Sequence, residues 1–301
     1  MYGEKKFTLD EFDLKEMFFT YNKDGSIKRD NYGYVEYKHP RIALIGNSGS
    51  GKSYAARWIL YHVRNISAGT VIAPTDRLNK FWDEFIPSVF IHHEYKDTII
   101  PRLLHRQKTV LDENRKRIVK GKRPKDTRAF FIMDDCMSSK KRWLKDPLIL
   151  SIFNEGRHFH LTYFLMMQYS LGIEPELRSN FDYVFLFGEE FRSNREKLYK
   201  HYAGMFYNFP FFEKVFSQVT ADYGCMVINN RKRSMNIREK VFYFKAKKPQ
   251  SFTMGSEKYI SYSKKKFDPN YDEKDPEIDF NDPELYKKNS RIVVNFNGKK
   301  N

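Results

Sequence analysis

Cysteine is nearly absent: Cys136 and Cys225 are the only two in 301 residues, and they form no C-x-x-C pair. That excludes a disulfide framework, argues against a structural zinc site, and suits a reducing compartment. Long apolar runs are absent as well. No stretch approaches the roughly 18 residues that a membrane-crossing helix needs, so no span is expected. The opening run MYGEKKFTLDEFDLKEMFF lacks the uninterrupted apolar segment of a secretory signal. There is no internal repeat. Acid is short relative to base, with 38 Asp and Glu against 54 Lys and Arg, a formal charge of +16. A surplus of that size points to a polyanionic partner and is silent about fold. The expectation is a soluble, intracellular protein.

What is present is enough apolar material for a sizeable core, at 41% hydrophobic and 17% aromatic residues. From Arg41 onward, apolar runs bounded by turn residues alternate with helical patterns, the rhythm of a parallel α/β sheet. Strands are expected at 41–46, 69–73, 88–92, 128–134, 161–168 and 182–187, and helices at 52–65, 76–85, 97–118, 146–157, 190–204 and 206–220. The strands are almost wholly apolar, as they must be when helices cover both faces. Runs 223–229 and 240–246 suggest a hairpin around the basic turn Asn230–Arg238. Three regions result: an N-terminal arm (1–40), an α/β domain (41–248), and a stretch (249–301) that loses periodicity and is expected to be extended or disordered.

Gly46-Asn47-Ser48-Gly49-Ser50-Gly51-Lys52-Ser53 fits G-x-x-x-x-G-K-[ST] at every fixed position, between an apolar strand and a helical segment opening with Tyr54. Glycines let the backbone curl so that successive N–H groups converge on phosphate oxygens, and the helix N-terminus adds partial positive charge. Lys52 is expected to reach the β- and γ-phosphates of ATP, and the Ser53 hydroxyl to join the Mg²⁺ shell. Phe130–Asp135 is an apolar strand ending in two carboxylates, the Walker B pattern. There Asp134 is expected to hold Mg²⁺ and Asp135 to polarise the attacking water. A further apolar strand, Leu161–Met167, ends in Gln168. In motor-type P-loop proteins such a strand lies between the other two and aims a polar sensor at the γ-phosphate. These features predict a P-loop NTPase with a mostly parallel sheet flanked by helices, RecA-like with an additional strand. Between Pro101 and Arg128 eleven basic residues face three acidic ones. The turn Lys120–Lys125 among them, and more weakly Arg231–Arg233, are candidate grips for nucleic-acid phosphates.

Taken together, GNSGSGKS, FIMDD, FNEGRHFHLTYFLMMQYS (153–170) and PELRSNFDYVFLF resemble the FtsK–HerA superfamily of ring-shaped DNA pumps, and within it the poxvirus-type genome-packaging ATPases of large DNA viruses. The segment 73–87 and Gln107 look like matching regions of that family. The resemblance covers roughly residues 40–230. It implies a multimeric, ATP-hydrolysing motor that moves double-stranded DNA without reading its sequence, self-associates into a ring, and docks on a capsid or portal-vertex protein. It places the protein in host cytoplasm at viral assembly sites and in the virion. It also implies that Arg157, eleven residues before Gln168, acts as an arginine finger on the ATP of an adjacent subunit, with Arg178 a second candidate. A P-loop nucleoside or nucleotide kinase, a cellular pump of the same superfamily, and a non-enzymatic nucleotide switch are the alternatives.

Overall fold

The computed structural model describes residues 7–169, 172–234 and 236–268. Its apolar runs form β1 (Arg41–Ile45), β2 (Ala68–Ile72), β3 (Ile91–His92), β4 (Ala129–Asp134), β5 (Leu161–Met167), β6 (Tyr183–Phe187), β7 (Gly224–Asn229) and β8 (Val241–Lys245). The helices are α1 (Leu14–Phe18), α2 (Lys52–His62), α3 (Asp76–Asn79), α4 (Ile99–Val119), α5 (Lys140–Trp143), α6 (Pro147–Glu155), α7 (Pro175–Arg178), α8 (Arg192–Tyr202), α9 (Phe209–Val219), α10 (Ile237–Lys240) and α11 (Glu257–Lys266).

Among the described residues the strands form one sheet in the order β3-β2-β4-β5-β1-β6-β7-β8. Strands β1 to β6 pair in parallel, and β7 and β8 close the edge as an antiparallel hairpin. The additional strand β5 does lie between the P-loop strand β1 and the Walker B strand β4. Its register aligns Ile45 with Met167 and Asp134 with Met166, so all three strands end level.

Alternate side chains feed two cores, as the two-residue period of a strand requires. Ile42 and Leu44 pack with Ala56, Ile59 and Leu60 of α2, while Ala43 and Ile45 pack with Leu104 of α4, Ile152 of α6, Leu198 of α8 and Phe212 of α9. Each such fully buried aliphatic or aromatic side chain contributes ~1.5–3 kcal/mol. Both faces are therefore helix-covered, which explains the lack of polar alternation in β1, β4, β5 and β6.

The structure departs from expectation in three places. The pattern at 76–85 breaks after α3, because Lys80 turns left-handed (φ 48°) and Asp76 Oδ1 accepts the backbone N–H of Trp82 at 2.8 Å. The strand expected at 88–92 is reduced to Ile91–His92, after a 3₁₀ turn at Ser88–Phe90. In the stretch 249–301, the described residues up to Lys265 are packed instead of extended. Phe252, Met254 and Tyr259 are buried, and the Tyr259 hydroxyl donates to Gly69 O at 2.9 Å beneath α11. Residues 269–301, which carry the rest of that expectation, lie outside the described residues. In the N-terminal arm, Phe12 N donates to Tyr243 O at 2.9 Å and Tyr243 N to Asp10 O at 3.1 Å, so the arm covers the edge that β8 would otherwise expose. No described helix is long and apolar enough to cross a membrane.

Candidate nucleotide site

The end of β1 is crowded: a Cβ on Gly46 would sit 2.6 Å from Phe187 Cβ and 2.8 Å from Ser50 Oγ. Only glycine lets the chain pass the end of β6 there. Gly49 (φ 74°) and Gly51 (φ 97°) then turn the loop back, with Gly51 as the N-cap of the eleven-residue α2. The helix N-terminus, with its unsatisfied N–H groups, opens into the loop. Asn47 is half-buried, Ser48 is exposed and Tyr54 faces outward on α2.

Inside the loop, Lys52 is buried and its Nζ donates to Gly46 O at 2.6 Å and Asn47 O at 2.7 Å. Burial lowers its pKa, opposed by the negative charges of Asp134 and Asp135. Ser50 Oγ is buried with no hydrogen-bond partner among the described residues. A buried ammonium and an orphaned hydroxyl lining a ring of backbone N–H groups fit phosphate oxygens.

The two carboxylates at the end of β4 differ in environment. Asp134 is buried, and Oδ2 accepts from Trp82 Nε1 at 2.9 Å. Burial pushes its pKa up to about 6, against the lowering pull of the Trp82 bond and Lys52. Asp135 takes a left-handed backbone (φ 52°), and its Oδ2 accepts from Gln168 Nε2 at 2.8 Å. Aspartate tolerates that conformation better than most residues, and strain of ~1–3 kcal/mol held there is typical of a functional site. Lys52, Asp134, Asp135 and Gln168 thus meet at the C-terminal ends of parallel strands, where open α/β sheets bind ligands.

The Ser53 hydroxyl, in the first turn of α2, and the Asp134 carboxylate are hard oxygen donors suited to Mg²⁺. A buried carboxylate with a raised pKa is one that a divalent cation would hold ionised. Among the described residues no cluster of three or more His, Cys, Asp or Glu could hold a metal ion.

The remaining candidates lie elsewhere. Arg157, in the turn before β5, is ion-paired with Asp182 Oδ1, while Asp182 Oδ2 accepts the N–H of Arg41 at 2.8 Å. This is the opposite end of the sheet, about 20 Å away at ~3.3 Å per residue of β5. Arg178 is at that end too and is buried, whereas the Arg157 side chain is exposed. Neither reaches the phosphate loop of its own chain. The turn Lys120–Lys125 also leads into this end. It is held by Asn114 at 2.8 Å to Lys125 N and by Arg123 stacked 4.6 Å from the Tyr34 ring centroid. Gln107 is fully buried, donating to Thr127 O at 2.9 Å and Phe159 O at 2.6 Å, which makes it a brace for α4.

Sequence reasoning missed Trp82, Asp76 and Tyr223. Trp82 and Asp76 lie in the 73–87 segment, where a helical pattern hid the turn that sends the indole to Asp134. Tyr223 stands 3.6 Å from where a Gly51 Cβ would be, its side chain exposed, and both it (φ 60°) and Asp222 (φ 49°) are left-handed. No local signal marks that strained pair.

A Walker-type phosphate loop, a Walker B carboxylate pair and a sensor strand on a parallel sheet define a P-loop ATPase. The family model described as Poxvirus A32 protein matches residues 28–201, and the chain belongs to that family. An uncharacterized protein of Acanthamoeba polyphaga mimivirus is 41% identical over 266 residues, covering 88% of this chain and 86% of that one. Another, of Invertebrate iridescent virus 6, is 32% identical over 257 residues, covering 82% and 92%. Among solved structures, the genome packaging NTPase of Sulfolobus turreted icosahedral virus 2 in complex with AMPPCP aligns with TM-score 0.48 at 15% identity, over 70% of this chain and 100% of that one.

Proposed function

We propose that this chain is the ATP-driven motor that packages a viral genome, a multimer that translocates double-stranded DNA and hydrolyses ATP at subunit interfaces. The observation that carries the reading is a division of labour along the sheet. Lys52, Asp134, Asp135 and Gln168 meet at one end, while the turn Lys120–Lys125, Arg157 and the Arg231–Arg233 turn lie at the other. Membership in a viral family and relatives in large DNA viruses support the setting.

In this reading the loop Gly46–Ser53 wraps the phosphates and Lys52 bridges the β- and γ-groups. Ser53 and Asp134 would hold Mg²⁺, and the ion would supply positive charge against the phosphate oxygens. Asp135 takes the proton of the attacking water, and Gln168 fixes the orientation of that carboxylate. Arg157 serves a neighbour's ATP. Being the more exposed of the two arginine candidates, it is the one able to reach across an interface once it leaves Asp182. DNA is held by its phosphates at the basic end, without base readout. A capsid or portal-vertex protein is the docking partner at the assembly site.

The test is ATP turnover with and without duplex DNA. Stimulation by duplex of any sequence is expected. Turnover indifferent to DNA but driven by a nucleoside acceptor would make the chain a kinase instead.

A further inference from the structure

A cavity of about 430 Å³ opens where α7 and the last turn of α8 meet the chain leaving β7, and Arg178, Lys200, His201, Tyr202 and Asn230 line it. Asn229 at the end of β7 pairs with Tyr183, the first residue of β6, whereas the last, Phe187, abuts Gly46. The cavity is therefore separated from the phosphate loop by the length of β6, about 13 Å at ~3.3 Å per step. It is not part of the nucleotide site.

Arg178 is the unusual group in it. The residue is 8% exposed, its guanidinium lies 5.9 Å from the Tyr202 ring centroid and hydrogen-bonds that side chain, and Nη1 is buried with no hydrogen-bond partner among the described residues. Buried guanidinium donors are otherwise matched by acceptors, because an unmatched one forfeits its hydration. Among the described residues no carboxylate lines the cavity. Asp182, the nearest in sequence after α7, is committed to Arg157 and to the backbone of Arg41. Lys200 and His201 add two nitrogen donors. Burial, followed by the charges of Arg178 and Lys200, lowers the His201 pKa.

We propose that this pocket is a phosphate-binding site that seats one backbone phosphate of a polynucleotide. Arginine's planar fork matches the geometry of a phosphate oxygen pair. The choice of a polynucleotide follows from what adjoins the pocket. Asn230 runs directly into Arg231-Lys232-Arg233, so a strand seated on Arg178 continues onto a tribasic turn. The proposal rests on the DNA-motor reading and deepens it, by naming a built contact where that reading has only basic turns.

The experiment is fluorescence anisotropy of a labelled duplex across a salt series, on the full chain, with Lys200→Gln and Arg178→Lys. Lys200 is exposed, so its variant is expected to fold normally, and thermal melts check both. Losing one phosphate contact should reduce the slope of log K against log salt by about 0.9 in Lys200→Gln. Arg178→Lys keeps the charge and loses the fork, so affinity should fall about tenfold with little change in slope. Wild-type affinity and slope in both folded variants overturn the site while leaving the motor reading intact. A wild type that binds no duplex sinks both. Inorganic phosphate that raises the wild-type melting temperature but not that of the variants, with duplex binding unchanged, would assign the pocket to free phosphate. A change in self-association alone would assign it to a carboxylate of a second copy. Either result overturns the polynucleotide assignment.

Discussion

Trp82→Phe isolates the buried hydrogen bond that Trp82 gives Asp134. The substitution keeps an aromatic ring in the core and deletes the indole N–H that Asp134 Oδ2 accepts at 2.9 Å. A hydrogen bond to an ionised group is worth ~1.5–3 kcal/mol. Even the low end exceeds the 1.36 kcal/mol that corresponds to one pH unit of titration. The bond lowers a carboxyl that burial has raised to about 6, so its loss moves Asp134 upward, to ~7 on that low estimate. At pH 6.5 the ionised fraction then falls from roughly three quarters to roughly one quarter, and near pH 8.5 both proteins are almost fully ionised. The assay is kcat/KM for ATP hydrolysis from pH 5.5 to 9 at fixed free Mg²⁺, because kcat/KM reports the free enzyme. The acid limb should move up by about one pH unit, with a threefold deficit at pH 6.5 that closes by pH 8.5. A limb that stays put, or a deficit of equal size at every pH, would refute the role given to the indole.

Lys52→Ala should cost at least ~100-fold in ATP turnover, as loss of a transition-state charge contact does; unaltered hydrolysis would remove the phosphate assignment. Gly46→Ala should be similarly inactive in the same assay, because its methyl would lie 2.6 Å from Phe187 Cβ; wild-type activity would show that the loop yields. Mixing Arg157→Ala with Asp135→Asn subunits should restore part of the hydrolysis that each lacks alone, and no recovery at any ratio would contradict a finger acting in trans. Acid should destabilise the fold. Burial lowers His39, His92 and His160, His92 to about 4, while their unfolded value is about 6.5. The unfolded chain therefore binds more protons in that window. Stability is full above about pH 6.5 and drops below it, by up to ~1.4 kcal/mol per pH unit per histidine, with Asp134 working in the opposite sense below about pH 6. Urea midpoints at pH 7.5 and 5.5 measure this, and a midpoint that rises on acidification would contradict it.

Strands β1, β4 and β5 were legible because each is a short apolar run followed directly by a candidate site residue, while their order was expected from the likeness to motor-type P-loop proteins. Gly46–Ser53, Asp134–Asp135 and Gln168 needed only strand ends to be level. What stayed hidden depends on contacts between distant residues. Trp82 reaches Asp134 across 52 positions through a turn that Asp76 and a left-handed Lys80 create, and the residue pattern there scores as helix. Phe252, Met254 and Tyr259 are spaced too irregularly to announce a buried strap, although Phe252 and Met254 fill the core beside α2 and β2 and Tyr259 bonds Gly69 O of β2. Arg157 was visible as a residue, while its pairing with Asp182 at the far end of the sheet was not.

The most direct measurement of the central claim is displacement of a triplex-forming strand from duplex DNA by the purified protein with ATP and Mg²⁺. The motor reading predicts displacement that requires hydrolysable ATP, starts from any duplex sequence and vanishes in Lys52→Ala. A protein that hydrolyses ATP and binds the duplex but never displaces the third strand, at any ratio of protein to DNA, would contradict translocation.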